Sequence, residues 1–364
     1  MADPKTNPYE PDRVSPPGDT LLETIQALGM SQAQLAERLG RPKKTVNEII
    51  RAKAAITPET ALQLESVLGV TADFWMNREA RYRESLARQR EERLLAHSVD
   101  WARKFPFRAM VRCGWVADRP TGPARARELL RFFGVATPES WEQTWSQLEV
   151  AFRRSTNVEG KRHAIAAWLR QGEIAAQALE CAPFDAGRFR NALDDARALT
   201  CTEPEVFEPG LTQMFARVGV AVAWVREIPG APVSGATRWL GPDKALIQVS
   251  LRYKTDDQLW FSIFHEAIHV LKHPRRAVFI EDGGRDSDEE REANRQAAAM
   301  LIPPVSLGAF VAQGVFTVQA IQAFASRLGI APGIVVGRLQ HERRVPFSHG
   351  NALKRRLGWV DGGA

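Results

Sequence analysis

Apolar residues recur at helical spacing along most of this chain, and the exceptions fall in one short stretch. Near the N-terminus Leu35, Ala36 and Leu39 share one face, with Ser31 placed to cap a short helix and Gly40 to stop it. Arg41-Pro42-Lys43-Lys44 turns the chain, and Thr45 to Ala52 predicts a second helix seated on Val46, Ile49 and Ile50. Thr57 caps a third helix, Pro58 takes its first position, Leu62, Leu64, Val67 and Leu68 supply its core, and Gly69 ends it. Arg78 to Arg93 is highly charged with few apolar positions, the pattern of a solvated helical linker. Residues 97 to 200 return to helical periodicity and carry Trp101, Trp115, Trp141, Trp145 and Trp168 without catalytic spacing. The tryptophans read as packing and His163 as an isolated core or surface histidine.

The period changes at Gly219. Val220 to Val225 and Ala245 to Leu251 read as strands, bridged by Val233 to Trp239. In the helix that follows, Trp260, Phe261, Ile263, Phe264, Ala267, Ile268, Val270 and Leu271 cover most of the circumference, so it is buried against other elements. Asp288 to Asn294 opens another helix with an acidic first turn, closed by Pro303-Pro304, and Ala320 to Leu328 forms a later one. The expected fold class is mainly α: an all-α helix-turn-helix, a helical middle region, and an α+β part in which a small sheet precedes the buried helix.

Composition adds little beyond class. The 44% hydrophobic and 25% charged residues are ordinary for a soluble protein. No apolar run reaches the roughly 18 residues of a membrane span. Met1 to Asp19 is polar, so a cytoplasmic protein with no membrane partner is expected. Cys113, Cys181 and Cys201 are odd in number and far apart, which suits free thiols and not a disulfide framework; a thiolate entering the open position of a metal is the sharper alternative.

Charge and chemistry change the picture in two places. From Arg38 to Lys53 six bases face one acid, Glu48, within a net charge of only +6. That local excess marks a polyanion-binding face. Two short helices across a glycine turn, the second basic at its start, match a helix-turn-helix. In that geometry Lys43, Lys44, Thr45 and Asn47 face base edges, with Gln32 and Lys53 on phosphates, and the partner is a double-stranded DNA operator.

The second place is His265-Glu266-Ala267-Ile268-His269. Residues four apart project from one helical face, so both imidazoles can reach a single ion. Glu266 stands about 100° round, placed to take a proton from water rather than to ligate. Neutral imidazoles suit Zn2+, although Mn2+ or Fe2+ occupies similar ligands. A third ligand is needed. Glu290 with Asn294 forms an i, i+4 pair that would supply a carboxylate and an amide to orient one histidine; Glu289 and Glu292 compete for the ligand role on spacing alone. His273 shares the histidine face, but the helix is ending at Pro274, which leaves it out of the metal site. His341 and Arg338 are candidates to stabilise an oxyanion, with Tyr253 behind them, and Lys354-Arg355-Arg356 would either add charge for DNA or solubilise the tail.

His265-Glu266-x-x-His269, then Glu290-x-x-Ala293-Asn294 and Leu301-Ile302-Pro303-Pro304, resembles the ImmA/IrrE family of zinc metallo-endopeptidases over roughly residues 205 to 345. The resemblance implies a zincin-like fold, Glu290 as the third ligand, and a regulatory protein substrate, typically a repressor or anti-repressor cut in response to stress, phage or mobile elements. Gln296 departs from it, standing where an aromatic is common. Pro17 to Leu22, Met30-Ser31-Gln32, Thr45 to Ile50, Ile56 to Ala61 and Phe74-Trp75 resemble, over residues 16 to 83, the HigA-type antitoxin branch of the XRE helix-turn-helix repressors, which bind operators as dimers. Ala52 departs from that pattern, standing where glycine is frequent.

The expected domains are therefore a helix-turn-helix at 16–83, a helical linker and middle region at 84–200, a zinc peptidase domain at 201–345 and a tail at 346–364. The leading expectation is a DNA-binding zinc endopeptidase, with a short sheet edge to hold an extended substrate. The alternatives are a transcription factor whose peptidase-like domain only senses, and an antitoxin that neutralises a toxin encoded nearby.

Overall fold

Short, well-capped helices build the N-terminal end of the chain: α1 (Pro17–Ala27), α2 (Gln32–Arg38), α3 (Lys43–Ile50), α4 (Pro58–Leu68) and α5 (Ala72–His97). The computed structural model describes residues 14–145, 161–273, 279–281 and 287–359. The chain divides into two compact units, Met1–His97 and Ser98–Ala364. In the first, Ser31 and Gln34 form a reciprocal capping box at α2, and the Thr57 hydroxyl accepts from the Thr60 amide at 3.3 Å to start α4. Leu21, Ile25, Leu35, Val46, Ile49, Leu64 and Trp75 make the core. Gly18 lets α1 approach α3, since a Cβ there would stand 2.4 Å from the carbonyl oxygens of Ile49 and Ile50.

One local reading of the sequence is corrected here. The second helix of the pair spans Lys43–Ile50, not Thr45 to Ala52. Pro42, extended and with no N–H to satisfy, serves as its N-cap, so Lys43 and Lys44 enter the first turn. At the other end Ala52 turns left-handed, at φ +55°, and the helix cannot continue. The charged stretch from Arg78 to Arg93 is helical and mostly exposed, as expected, and continues the same helix, α5, that begins at Ala72 and ends at His97 where the first unit ends. Buried Glu79 on that helix accepts from the Ile56 amide at 3.1 Å and from Arg83 Nε at 2.6 Å.

The second unit runs α6 (Val99–Arg103), α7 (Phe107–Arg112), α8 (Gly122–Phe133), α9 (Pro138–Trp145), α10 (Arg162–Gln177), α11 (Ala186–Leu199), α12 (Pro204–Ala216), β1 (Val220–Trp224), β2 (Gly235–Gly241), β3 (Lys244–Val249), α13 (Asp256–Lys272), β4 (Phe279–Glu281), α14 (Asp288–Leu301), α15 (Pro304–Ala312), α16 (Val318–Leu328) and α17 (Pro332–His341). Its sheet is mixed, in the order β1-β3-β2-β4, with β1 parallel to β3 and β2 antiparallel to both neighbours. The segment expected only to bridge two strands is itself β2, paired on both sides. It was hidden because it opens on Gly235-Ala236-Thr237, small residues that α13 packs against.

Residues 161–200 are not a spacer. Helix α10 packs on β1 and β3, the Gln248 amide donates to the Trp168 carbonyl at 2.7 Å, and Lys244 Nζ donates to the Ala176 carbonyl at 2.7 Å. Phe189 and Leu193 of α11 belong to the same core as Val222, Ile247, Trp260 and Phe264. Ahead of them, Trp101, Phe105, Phe133, Trp141 and His163 form an aromatic cluster, with the imidazole stacked on Trp141 at 5.0 Å. Burial, reinforced by nearby Lys104 and Arg162, pushes His163 down to about 4, so it stays neutral there.

Residues 346–357, read above as tail, are built in. Gln340 Nε2 donates to the carbonyls of Phe347 and His349 at 3.1 and 2.8 Å. Lys354 pairs with buried Asp257 at 2.7 Å, and Arg355 reaches Glu203 at 3.2 Å. Lys354 and Arg355 are thus spent inside this unit and not held in reserve for solubility or DNA. No single helix among the described residues is long and apolar enough to cross a membrane.

Candidate metal centre

Helix α13 is almost wholly buried, and its polar residues converge with one carboxylate from α14. Ser287 caps α14, its hydroxyl accepting from the Glu290 amide at 3.2 Å, so Glu290 is fixed in the first turn beside the α13 face that carries the histidines. His265 Nε2 and His269 Nε2 stand 3.0 Å apart, and Glu290 Oε2 and Oε1 lie 3.1 and 3.5 Å from them respectively. Three ligands at bond lengths near 2.1 Å in a tetrahedral arrangement lie about 3.4 Å from one another. The observed triangle matches that size. His265, His269 and Glu290 are the one His/Cys/Asp/Glu group among the described residues that could hold a metal.

The other ring nitrogens are already engaged, which decides how the lone pairs point. Asn294 Oδ1, an acceptor, lies 3.0 Å from His265 Nδ1, so the proton sits on Nδ1 and Nε2 faces the centre. His269 Nδ1 meets His273 Nδ1 at 2.8 Å. With the proton on His269, its Nε2 is likewise a lone pair toward the same point. Burial, then the neighbouring imidazoles of His265 and His273, hold His269 down to about 2, and burial also lowers His273. Neutral imidazoles are the form a metal needs.

His273 is the residue that sequence reasoning set aside. Helix α13 does stop at Lys272, but His273 caps it in extended conformation and swings its ring back onto His269. Pro274, on which the expected end rested, lies outside the described residues. Phe279 of β4 stacks on His269 with centroids 4.1 Å apart and closes the other side of that ring. Strand β4 occupies the edge of the sheet on this side, the position the sequence left undecided.

Glu266 is fully buried and stands outside the ligand triangle. The Thr237 hydroxyl donates to Glu266 Oε2 at 2.6 Å, and Gly235 leaves the space its carboxylate fills, since a Cβ there would be 2.6 Å from Oε1. Neither Thr237 nor Gly235 stood out in the sequence; only strand pairing brings them under α13.

Other candidates fall elsewhere. Glu292 accepts from Gln296 at 2.6 Å, and neither it nor Glu289 is in the triangle. Arg338 pairs with Glu342 at 2.8 Å, His341 is exposed at the end of α17, and neither belongs to the ligand triangle. Tyr253 is 49% exposed beside Arg252. Cys113 and Cys181 are half-buried with thiols pushed up by burial, Cys201 is exposed, and none joins the triangle.

In the first unit Lys43, Lys44 and Lys53 are exposed, while Thr45, Asn47 and Gln32 are half-buried. Asn47 Nδ2 donates to Gln32 Oε1 at 3.3 Å, tying α3 to the start of α2. Two of the candidates, the base-reading Asn47 and the phosphate-holding Gln32, are thus in direct contact.

Comparison with known proteins bears on this unit. The helix-turn-helix family HTH_3 matches residues 21–75. The HTH-type transcriptional regulator YddM of Escherichia coli is 33% identical over 61 residues, 17% of this chain and 65% of its own. Virulence-associated protein I of Dichelobacter nodosus is 35% identical over 74 residues, 20% of this chain and 68% of its own. Among solved structures, Pseudomonas aeruginosa antitoxin HigA with the higBA promoter shows 30% identity over 23% of this chain and 94% of that one, at a TM-score of 0.22. This chain spans just under two thirds of the length of YddM. Through its N-terminal domain, the chain belongs to the helix-turn-helix family of these regulators.

Proposed function

We propose that the chain is a DNA-binding transcriptional regulator whose second unit is a zincin-like, zinc-dependent endopeptidase of the ImmA/IrrE kind. The observation that carries the second half is the triangle of His265 Nε2, His269 Nε2 and Glu290, sized for a tetrahedral ion, with both Nδ1 atoms spent on Asn294 and His273. A divalent ion bound there supplies Lewis acidity. The residues supply the rest. Glu266, neighbour to His265 but outside the triangle, is the general base that accepts the proton of the attacking water, held in place by Thr237. An extended peptide pairs with the edge strand β4. The substrate is a repressor or anti-repressor protein.

The DNA-binding half rests on the helix-turn-helix match and on the basic edge of α3. Lys43, Lys44, Thr45 and Asn47 read base edges of an operator, Gln32 and Lys53 hold phosphates, and the operator is bound as a homodimer.

Two measurements on the full chain test the enzyme reading together. Metal analysis should find one zinc per chain in wild type and in Glu266→Gln. Mass spectrometry of a peptide library should find new termini with wild type and none with Glu266→Gln, a loss of at least a hundredfold. Equal cleavage by the variant sinks the mechanism. Zinc without cleavage in either protein favours the second reading, a repressor or toxin-binding antitoxin whose second unit is a sensor.

A further inference from the structure

A groove of about 760 Å3 opens at the N-terminus of α13. Thr255 is the N-cap of that helix, and His265 stands ten residues further along it, about 15 Å away. The groove is therefore a different place from the metal centre. Its walls come from Arg226 and Glu227 after β1, from Tyr253 to Thr255, and from Arg356 to Trp359. Backbone contacts tie two of these walls together: Thr255 bridges to Arg356, and the Leu357 amide donates to the Lys254 carbonyl at 3.0 Å.

The lining is cationic and aromatic. Arg226, Lys254 and Arg356 face one carboxylate, Glu227, which accepts from the Trp359 indole at 2.7 Å. Lys254 and Arg356 are exposed and have no ion-pair partner among the described residues. Lys254 is held at φ +57°, a left-handed conformation that costs a lysine on the order of 1 kcal/mol, so the turn keeps a charged side chain where glycine would sit more easily. Tyr253 beside it is 49% exposed, with the Arg252 guanidinium 5.0 Å from its ring on one side. The acids of the first turn of α13 do not line the groove: Asp257 is paired with Lys354, and Asp256 is buried and accepts the Asp257 and Arg355 amides at 2.9 and 3.1 Å.

Two uncompensated cations beside a half-exposed aromatic ring select a ligand with at least two negative charges and a planar group. Guanidinium and ammonium groups bind phosphate oxygens by charge-assisted hydrogen bonds. A tyrosine face takes a nucleobase by stacking. The volume lies within the range of small-molecule sites. We propose that this groove binds a mononucleotide carrying two or more phosphates, with the phosphates on Lys254 and Arg356 and the base against Tyr253. The occupant would join the segment 356–359 to the start of the helix whose far end carries His265 and His269. The proposal does not depend on the peptidase reading.

Isothermal titration of the full chain with ADP, in EDTA and at physiological ionic strength, tests it. One saturable site is expected. Lys254→Ala with Arg356→Ala should weaken ADP at least tenfold. Tyr253→Ala should weaken ADP threefold or more while leaving inorganic pyrophosphate unchanged. Lys43→Ala with Lys44→Ala, in the DNA-binding unit, should change nothing. All the substituted side chains are exposed, and matching thermal melts would show the variants folded. No saturable heat up to millimolar ADP overturns the proposal, as does ADP binding that survives the Lys254 and Arg356 changes. Pyrophosphate binding as tightly as ADP overturns it too, because the base would then have no site.

Discussion

Ala52 occupies a left-handed position, φ +55°, at the end of α3, where only glycine adopts that conformation without cost. Relieving the strain outweighs the extra chain entropy glycine brings, so Ala52→Gly should stabilise the first unit by about 0.5–1 kcal/mol, read as a rise in its denaturant midpoint. At the metal centre, single residues decide how well the imidazoles are aimed. Asn294→Ala and His273→Ala each remove the partner of a ligand's Nδ1, and each should weaken zinc binding 10–100-fold in a competition titration while the fold stays intact. An unchanged affinity in either would mean that the ring is oriented by packing alone. The two residues also differ in how far the sequence disclosed them. Asn294 was visible as the i, i+4 partner of Glu290. His273 is not legible in the same way, because a helix end ordinarily takes a ring off the helix face, whereas this extended cap residue folds its side chain back one turn onto His269.

At the scale of elements, the buried helix α13 and the acidic start of α14 were legible because apolar circumference, caps and proline stops are local signals. Strand β2 and the 346–357 segment were not, since both are defined by partners distant in sequence: β2 by β3 and β4, the C-terminal segment by Asp256, Asp257 and Gln340. The same long-range packing confines Asp256. Burial, chiefly, raises its carboxyl to about 6 from an ordinary 3.8, against the Asp257 and Arg355 amides that favour the charged form. A carboxyl raised in the fold binds its proton more tightly there than in the unfolded chain. Its stabilising contribution is therefore complete below about pH 4 and lost as pH rises through about 6, with an upper bound near 3 kcal/mol. Asp256→Asn keeps an acceptor for both amides and has no charge to bury. Calorimetry should find the variant more stable than wild type at pH 7.5, with the gap closing toward pH 5. A gap that does not change with pH would locate the effect elsewhere.

At the scale of the whole molecule, the two compact units carry separate cores, and among the described residues the candidate metal triangle lies in the second. A ligand that binds the native state alone stabilises the unit that holds it by RT ln(1 + [L]/Kd), about 4 kcal/mol at a thousandfold excess over Kd. For a unit of this size each kcal/mol moves the melting temperature by roughly 2–4 °C, so saturating zinc should raise one calorimetric transition by about 8–16 °C. The other transition, belonging to Met1–His97, should stay where it is, because the triangle's three ligands all lie in the second unit. Glu290→Gln removes one of three ligands and should abolish most of the shift without moving either transition of the metal-free protein far, since Glu290 is partly exposed and, among the described residues, its carboxylate pairs with the two histidines it would share the ion with. Zinc shifting both transitions equally, or neither, would break the link between the triangle and the stability of the unit around it.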